Sequence, residues 1–313
     1  MDTSHSNPSV SIIIPTYNRE ETLCNTIQDL LELHEQFSEL LVVDQTREHL
    51  PDTLSFLSSL PEKVRIIKLS APDLTKARNR GAREAKSEIV LYLDDDIKPL
   101  PTLISSHRRH YQDPTIGGVA GHVKSADGVV RGLDPRYHTS VFPWRYIRFD
   151  QEWDLCEVAA ALGCNMSFRR TLVFEAGGFD EQFVGNAYRE ETDFCLRLRK
   201  MSYRILFDPE AAVIHYGKTD GGCENFRFAD PNRTSYLYYK DFIQNNTYFI
   251  FKHVPRAFMP EFIWELYRNH IGNKFNLRQG LNLFFFRHVA FFLGLFGAYR
   301  AWRRQNFLYH SGI

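Results

Sequence analysis

Two groups of acids in the 313-residue chain are placed to do chemistry. The first is Asp94-Asp95-Asp96, which closes the apolar run Ile89–Leu93. Adjacent carboxylates repel one another, and at the end of an apolar strand they are costly unless a cation binds them. On an extended chain Asp94 and Asp96 face the same way. Oxygen ligands so arranged suit one divalent ion, Mg²⁺ or Mn²⁺, and an ion held there would bind a diphosphate. The triplet also reads as a solvated turn whose acids cap a helix starting near Pro99. A phosphatase-type Asp-x-Asp nucleophile is disfavoured, because Ile97-Lys98-Pro99 puts no Thr or Val where that pattern needs one. The second group lies in Arg189-Glu190-Glu191-Thr192-Asp193-Phe194-Cys195-Leu196-Arg197, which reads as a helix start. Glu190, Asp193 and Arg197 share a face, so Asp193 and Arg197 are expected to pair. Glu191 points about 100° away from Glu190 and is available as a general base if it faces a cleft. Acids at a helix N-terminus also simply complement the macrodipole.

The elements that must position these acids follow from the periodicity. Val10–Ile14, Leu40–Val43, Val64–Leu69, Ile89–Leu93 and Ile116–Val123 read as strands. Residues 20–33, 54–60, 75–85 and 100–111 read as the helices between them. Strands and helices alternating at this spacing predict an α/β fold with a mostly parallel, Rossmann-like sheet and helices on both faces. In such sheets ligands sit beyond the carboxyl ends of the strands. Three polar clusters fall there: Thr16–Arg19, Asp44–Thr46 and Asp94–Asp96. Residues 125–157 show little periodicity and predict a long loop, with Trp144 and Trp153 as an aromatic platform for a ligand or as core. Residues 216–222, Tyr-Gly-Lys-Thr-Asp-Gly-Gly, have the composition of a mobile lid, in which Lys218 is solvated or reaches a phosphate.

Charge excludes some functions. Lys plus Arg and Asp plus Glu are both 38, so a basic nucleic-acid binder is not expected. From Lys252 onward nine basic residues face two acids, Glu261 and Glu265, and 22 of the 44 aromatic residues lie after residue 230. A basic, aromatic tail on an acidic body predicts either peripheral contact with a membrane surface or a packed helical cap. The longest stretch of this tail lacking charge and His, Val289–Tyr299, is too short to span a bilayer. Five Cys without a CxxC pair predict free thiols in a reducing compartment, and the polar Met1–Pro8 predicts no signal peptide.

Taken in order, the motifs resemble the family-2 glycosyltransferases, whose fold is GT-A. Val10-Ser-Ile-Ile-Ile-Pro-Thr-Tyr-Asn-Arg19 resembles the family's first strand and nucleotide loop, and Leu41-Val-Val-Asp44 its second strand. Thr75-Lys-Ala-Arg78-Asn79-Arg-Gly81 is similar to its ARNxG segment, and Leu91-Tyr-Leu-Asp-Asp-Asp96 to its metal-binding DxD. Leu162-Gly-Cys-Asn165-Met-Ser-Phe-Arg169, Gly177-Gly-Phe-Asp180-Glu-Gln-Phe183, Glu190-Glu191 and Pro209-Glu-Ala-Ala-Val-Ile-His215 resemble the later motifs, so the likeness runs over residues 9–220.

The resemblance implies an inverting transfer of one sugar from a nucleotide-sugar donor to a saccharide or lipid-linked saccharide, helped by Mn²⁺ or Mg²⁺. It implies that Pro15, Thr16, Tyr17, Asn18 and Arg19 frame the nucleotide, that Asp44 contacts the base and that Arg78 contacts the donor. Asp96 is the implied metal ligand, with Asp94 near the ribose or the metal's water shell and Asp95 on the donor side. His215 is a further metal ligand or a buried histidine. Glu191 is the implied base with Glu190 in reserve, and Asn165, Asp180 and Trp153 are expected on the acceptor side. The chain departs from the family pattern in having Glu191 where Asp is usual, and Gln45-Thr46 after Asp44. No QxxRW follows the body, which implies single addition rather than processive synthesis. The implied organisation is a GT-A domain over residues 1–230 (a nucleotide half over 9–123, an acceptor half over 124–230) and a helical region over 231–313. The implied location is the cytoplasm or the inner face of its membrane. The competing reading is a non-catalytic nucleotide-sugar-binding or membrane-associated scaffold.

Overall fold

The computed structural model describes residues 7–132, 148–218, 221–222, 233–278 and 280–310. Trp144, part of the long loop, and Thr219 and Asp220 lie outside them. The chain forms two compact units: residues 1–179 with 194–222, and residues 180–193 with 223–313. This division differs from a single boundary at residue 230, because Asp180–Asp193 joins the C-terminal helices.

The first unit is built on nine strands: β1 (Val10–Thr16), β2 (Glu39–Asp44), β3 (Val64–Lys68), β4 (Ile89–Leu93), β5 (Ile97–Pro99), β6 (Ile116–Ser125), β7 (Cys156–Val158), β8 (Asn165–Arg169) and β9 (Arg204–His215). Their order is β3-β2-β1-β4-β8-β6-β9-β5, with β7 also on β9. β3, β2, β1 and β4 run parallel, as the alternation predicts. β8 then runs antiparallel to both β4 and β6, so the sheet is mixed. Between these strands lie α1 (Glu21–Leu31), α2 (Pro51–Ser58), α3 (Leu74–Glu84), α4 (Leu103–Arg109) and α5 (Arg170–Glu175). β1, β2 and β4 are buried along their whole length, which is why they read as unbroken apolar runs and not as alternating ones.

Helix α3 starts where Asp73 accepts the backbone N–H of Lys76. It lies so close to β1 that a Cβ at Gly81 would come 2.4 Å from Ile13 Cγ2. The glycine is what lets the helix carrying Arg78 approach the sheet. Beneath β8, the buried His107 binds Asn165 Oδ1 and Ser167 Oγ, each at 2.8 Å. Burial pushes the His107 pKa down to about 4, against the Asn165 hydrogen bond.

In the second unit Arg233–His253 is α7, Met259–His270 is α8, Lys274–Arg278 is α9 and Leu281–His310 is α10; α6 (Glu190–Lys200) begins in this unit and continues into the first. Asp180–Asp193 is tied to α7: Val184 exchanges hydrogen bonds with the Asn245 side chain, and the Phe183 ring meets Tyr248 edge-on at 5.2 Å. α10 is one continuous helix, and its Leu281–Gln305 stretch is long and apolar enough to cross a membrane by length and composition. Arg287 and His288 break the charge-free run in the sequence but not the helix.

Two outcomes follow. Gly81→Ala gains up to about 1 kcal/mol of helix propensity but loses about 1–3 kcal/mol to overpacking against Ile13, so its urea midpoint falls with the slope unchanged. His107 has a folded pKa below its unfolded value, so the unfolded chain binds the extra proton. Stability is therefore full above about pH 6.5 and falls by roughly 3 kcal/mol as pH drops toward 4. Urea titrations across that window check the slope, which His107→Gln flattens.

Candidate functional site

β1 and β4 are neighbours at the point where the strand order reverses, and both end at the same edge of the sheet. The chain beyond each therefore opens into one crevice. Thr16 Oγ1 donates to Asp95 Oδ2 at 2.6 Å across it. The buried Arg19 sets Nε 3.2 Å from Asp95 Oδ1 and Nη2 3.4 Å from Asp96 Oδ2, and donates to the Lys218 carbonyl. Pro15 is buried within β1 and Tyr17 is half-buried. Asn18 is exposed with φ of 51°, a left-handed conformation that Asn tolerates well, and its N–H donates to Thr46 Oγ1. Beside it Asp44 is fully buried and accepts from Thr46 N at 2.8 Å, His49 Nε2 at 2.9 Å and Lys68 Nζ at 2.5 Å. Burial alone would raise its pKa, but these donors hold it below the usual carboxylate value. Gln45 is spent on structure, bonding Thr16 O and Asp73 N.

The acidic triplet is held by its backbone as well as its side chains. Thr26 on α1 donates to the carbonyls of Asp95 and Ile97, each at 3.0 Å. Two strand registers bring further donors to it. β4 and β8 pair Leu93 with Asn165 in antiparallel register, which sets Cys164 beside Asp94. β5 and β9 pair Ile97 with His215, which sets the imidazole beside Asp96. His215 Nε2 lies 3.1 Å from Asp96 Oδ1 and 3.7 Å from Asp94 Oδ2. The ligand atoms of Asp94, Cys164 and His215 all fall within 4.8 Å of one another.

The electrostatics are those of a concentrated negative charge. Burial raises Asp95 to about pKa 7, against Arg19 and Thr16. Burial also works against charge on Asp96, but His215 and the Lys218 amide, 2.8 Å from Oδ2, keep it below the usual value. Burial would lower His215, yet Asp96 and Asp94 raise it to about 8. The residues thus fit a divalent cation: the buried Asp96 Oδ1, the half-buried Asp94 carboxylate and the His215 imidazole gather about one small volume. Asp94, Asp96 and His215 would hold the ion.

Arg78 is buried against this volume, its guanidinium 5.6 Å from the Phe179 ring. A Cβ at Gly163 would come 2.2 Å from Arg78 Nη2, so the glycine before Cys164 makes room for the arginine.

A family model for glycosyl transferase family 2 matches residues 11–175. The chain belongs to glycosyl transferase family 2. Among curated relatives, a probable glycosyltransferase of Bacillus subtilis, YdaM, is 21% identical over 65% of this chain and 50% of its own length. The glucosyl-dolichyl phosphate glucuronosyltransferase of Haloferax volcanii is 23% identical over 66% of this chain and 68% of its own. The chain thus spans about half the YdaM protein and two thirds of the archaeal one. Among solved structures, S. aureus TarS 1–349 with UDP-GlcNAc has a TM-score of 0.61 at 17% identity, covering 94% of this chain and 81% of that one. The mannosyltransferase PcManGT of Pyrobaculum calidifontis, with GDP-Man and Mn²⁺, has a TM-score of 0.55 at 20% identity, covering 95% and 74%. At these identities the likeness shows the fold, which is GT-A with C-terminal helices.

The residues expected on the acceptor side all bond within the protein. Asn165 is fully buried, its amide donating to the His122 and Ala211 carbonyls while its oxygen takes His107. It locks β8 to its neighbours. Trp153 is buried, with Nε1 donating to Gln151 and its ring meeting Phe207 at 6.3 Å, so it is core and not a platform. In the second unit Asp180 Oδ2 accepts from Tyr248 Oη at 2.8 Å, Lys252 Nζ at 2.6 Å and Gln305 Nε2 at 3.2 Å, which turns it into the tie of the helices. Asp193 takes Lys252 at 2.5 Å and His253 at 2.7 Å, and in the first unit Arg197 turns to the carbonyls of Ala176 and Gly178. Asp193 thus belongs to a buried charge cluster with Lys252 and His253. Glu190 is 1% exposed and Glu191 is half-buried. Just before them Ala187 (φ 51°) and Arg189 (φ 81°) hold left-handed conformations that cost a non-glycine residue energy.

His49, Lys68 and Cys164 carry no motif signal; strand register reveals Lys68 and Cys164, and the loop after β2 brings His49 to Asp44. The described part of the expected lid packs against the nucleotide loop. Gly222 N–H donates to Tyr17 O at 2.7 Å, and a Cβ at Gly221, whose φ is +83°, would come 2.2 Å from Asn18 O. Gly221→Ala therefore displaces this contact, and amide exchange at Gly222 accelerates over wild type.

Proposed function

We propose that the chain is an inverting glycosyltransferase that moves one sugar from a nucleotide-sugar donor to a hydroxyl of a saccharide or lipid-linked saccharide. The observation that carries the reading is the grouping of Asp94, Asp96 and His215 in the crevice between β1 and β4, beside Thr16–Arg19. Support for the donor class comes from the structural relatives described with UDP-GlcNAc and with GDP-Man and Mn²⁺. In this reading Asp44, kept ionised by Lys68 and His49, accepts from the base. Tyr17 and Asn18 border the nucleoside, and Arg78 and Arg19 face the diphosphate side. A divalent ion on Asp96, Asp94 and His215 would supply positive charge to the leaving group.

Glu191 is the proposed base. It is the more accessible of the two glutamates and stands in the motif that resembles the family's catalytic acid, while Glu190 is buried. It takes the proton of the acceptor hydroxyl as that oxygen bonds to the anomeric carbon. The carbon–oxygen bond to the diphosphate breaks with its electron pair leaving on the nucleotide, and configuration inverts. Having Glu for Asp lengthens the side chain by one methylene at similar acidity.

The second unit supports a peripheral membrane role. Leu281, Phe285, Phe292, Phe296 and Tyr299 are exposed, and their spacing places them along one side of α10, with Arg303 continuing the same side. An apolar stripe ending in arginine fits an anionic bilayer surface in which the rings lie at headgroup depth.

Incubation with Mn²⁺ and a panel of nucleotide sugars, without acceptor, tests the enzyme reading through slow nucleotide release. Release is expected from one donor, lost in Asp96→Ala, and with acceptor present Glu191→Gln lowers kcat by about 10²–10⁴-fold. Undiminished transfer in Glu191→Gln moves the base elsewhere, nucleotide binding without release even with acceptor would favour a nucleotide-sugar-binding scaffold, and neither binding nor release a membrane-associated one. For the membrane role, the full chain is expected to sediment with phosphatidylserine-containing vesicles, and Phe285→Ser with Phe292→Ser releases it. Equal sedimentation of the double variant would contradict the stripe.

A further inference from the structure

We propose that Cys164 is a ligand of the cation site, which makes the site a mixed sulfur, nitrogen and oxygen one able to take thiophilic ions such as Zn²⁺, Cd²⁺ or Co²⁺. The inference rests on the reading that Asp94 and His215 hold a cation.

The antiparallel register that pairs Leu93 with Asn165 sets the residue before Asn165 next to the residue after Leu93, which is Asp94. The thiol, the Asp94 carboxylate and the His215 imidazole then offer three ligand atoms within 4.8 Å of one another. In a tetrahedral set with metal–sulfur near 2.3 Å and metal–nitrogen near 2.0 Å, ligand atoms lie about 3.5 Å apart. Side-chain rotations of about 1 Å close that gap. Asp96 Oδ1, buried, stands 3.1 Å from the same imidazole nitrogen and offers a fourth ligand atom.

The thiol's surroundings are not those of a cysteine used as a small core hydrophobe. Two carboxylates, an imidazole and the Arg78 guanidinium are its electrostatic neighbours. Cys164 is buried and is a free thiol. Its burial and the adjacent acids disfavour the bare thiolate. Binding therefore exchanges charge: the metal–sulfur bond forms as the S–H proton leaves to solvent, and the cation replaces that proton in neutralising the acids. Carboxylate and water ligands suit Mg²⁺ and Mn²⁺, whereas a thiolate shifts preference toward Zn²⁺ and its heavier relatives. Thiophilic ions should thus compete with Mn²⁺ at the site.

The test uses the full chain without nucleotide, titrated with Co²⁺ and with Cd²⁺, and follows the sulfur-to-metal charge-transfer band in the ultraviolet. Wild type should develop the band at one ion per chain, and Cys195→Ser should keep it. Cys164→Ser and Cys164→Ala should lose it and bind Cd²⁺ ~10-fold or more weakly. Mn²⁺ binding, followed by electron paramagnetic resonance, should change far less in both. His215→Ala should weaken the band with the thiol intact, which separates ligation by the site from modification of an isolated cysteine. Saturable Cd²⁺ binding that Asp94→Asn abolishes, without a sulfur band, would overturn the thiol's role and leave the cation site standing. Absence of any Mn²⁺ or Cd²⁺ binding would remove the cation site and this inference with it.

Discussion

Charge repulsion at the end of a dry strand is the constraint around which the first unit is organised. β4 is buried along its length and delivers three consecutive carboxylates to the sheet edge. Carboxylates so placed must find compensation or give up their charge. The surroundings supply it in different ways for each acid. Asp95 is held by Thr16 and Arg19 and has its pKa raised, Asp96 is kept ionised by His215 and the Lys218 amide, and Asp94 is left half-open beside the same imidazole. In the absence of a cation, a protonated His215 and Arg19 are the positive charges that balance the group. An imidazolium that can lose its proton to solvent as a cation binds is a natural placeholder for one.

Topology does the positioning. The parallel half of the sheet, β3-β2-β1-β4, brings the nucleotide loop and the triplet to one crevice. The mixed half adds β8 antiparallel to β4 and β9 in contact with β5, and these two registers carry Cys164 and His215 in from distant sequence. The close packing of α3 through Gly81 and the room left at Gly163 let Arg78 reach the same region. Remote glycines and backbone pairings thereby set the geometry of charged side chains they never contact through a side chain of their own.

Much of this was legible in the sequence, for physical reasons. Strands buried on both faces are continuous apolar runs, so β1, β2 and β4 declared themselves, as did the polar clusters at their ends. β8 and β9 are partly polar and pair out of chain order, so nothing local announced their register. For the same reason nothing local announced the partners of Asn165, Trp153 and Asp180, which are a buried amide, an indole in the core and an ion-paired carboxylate. Local spacing could not announce that Asp193 meets Lys252 and His253, which come from a helix sixty residues on. The long C-terminal helix was obscured by Arg287 and His288, which interrupt the apolar run without interrupting the backbone.

A crystal structure of the chain with Mn²⁺ and a nucleoside diphosphate, read by the anomalous signal of manganese, tests the central claim most directly. One peak within bonding distance of Asp96 and His215, bridging to the diphosphate, is the result expected. A nucleotide bound in the crevice with no manganese beside those residues, or manganese held elsewhere in the chain, would contradict it.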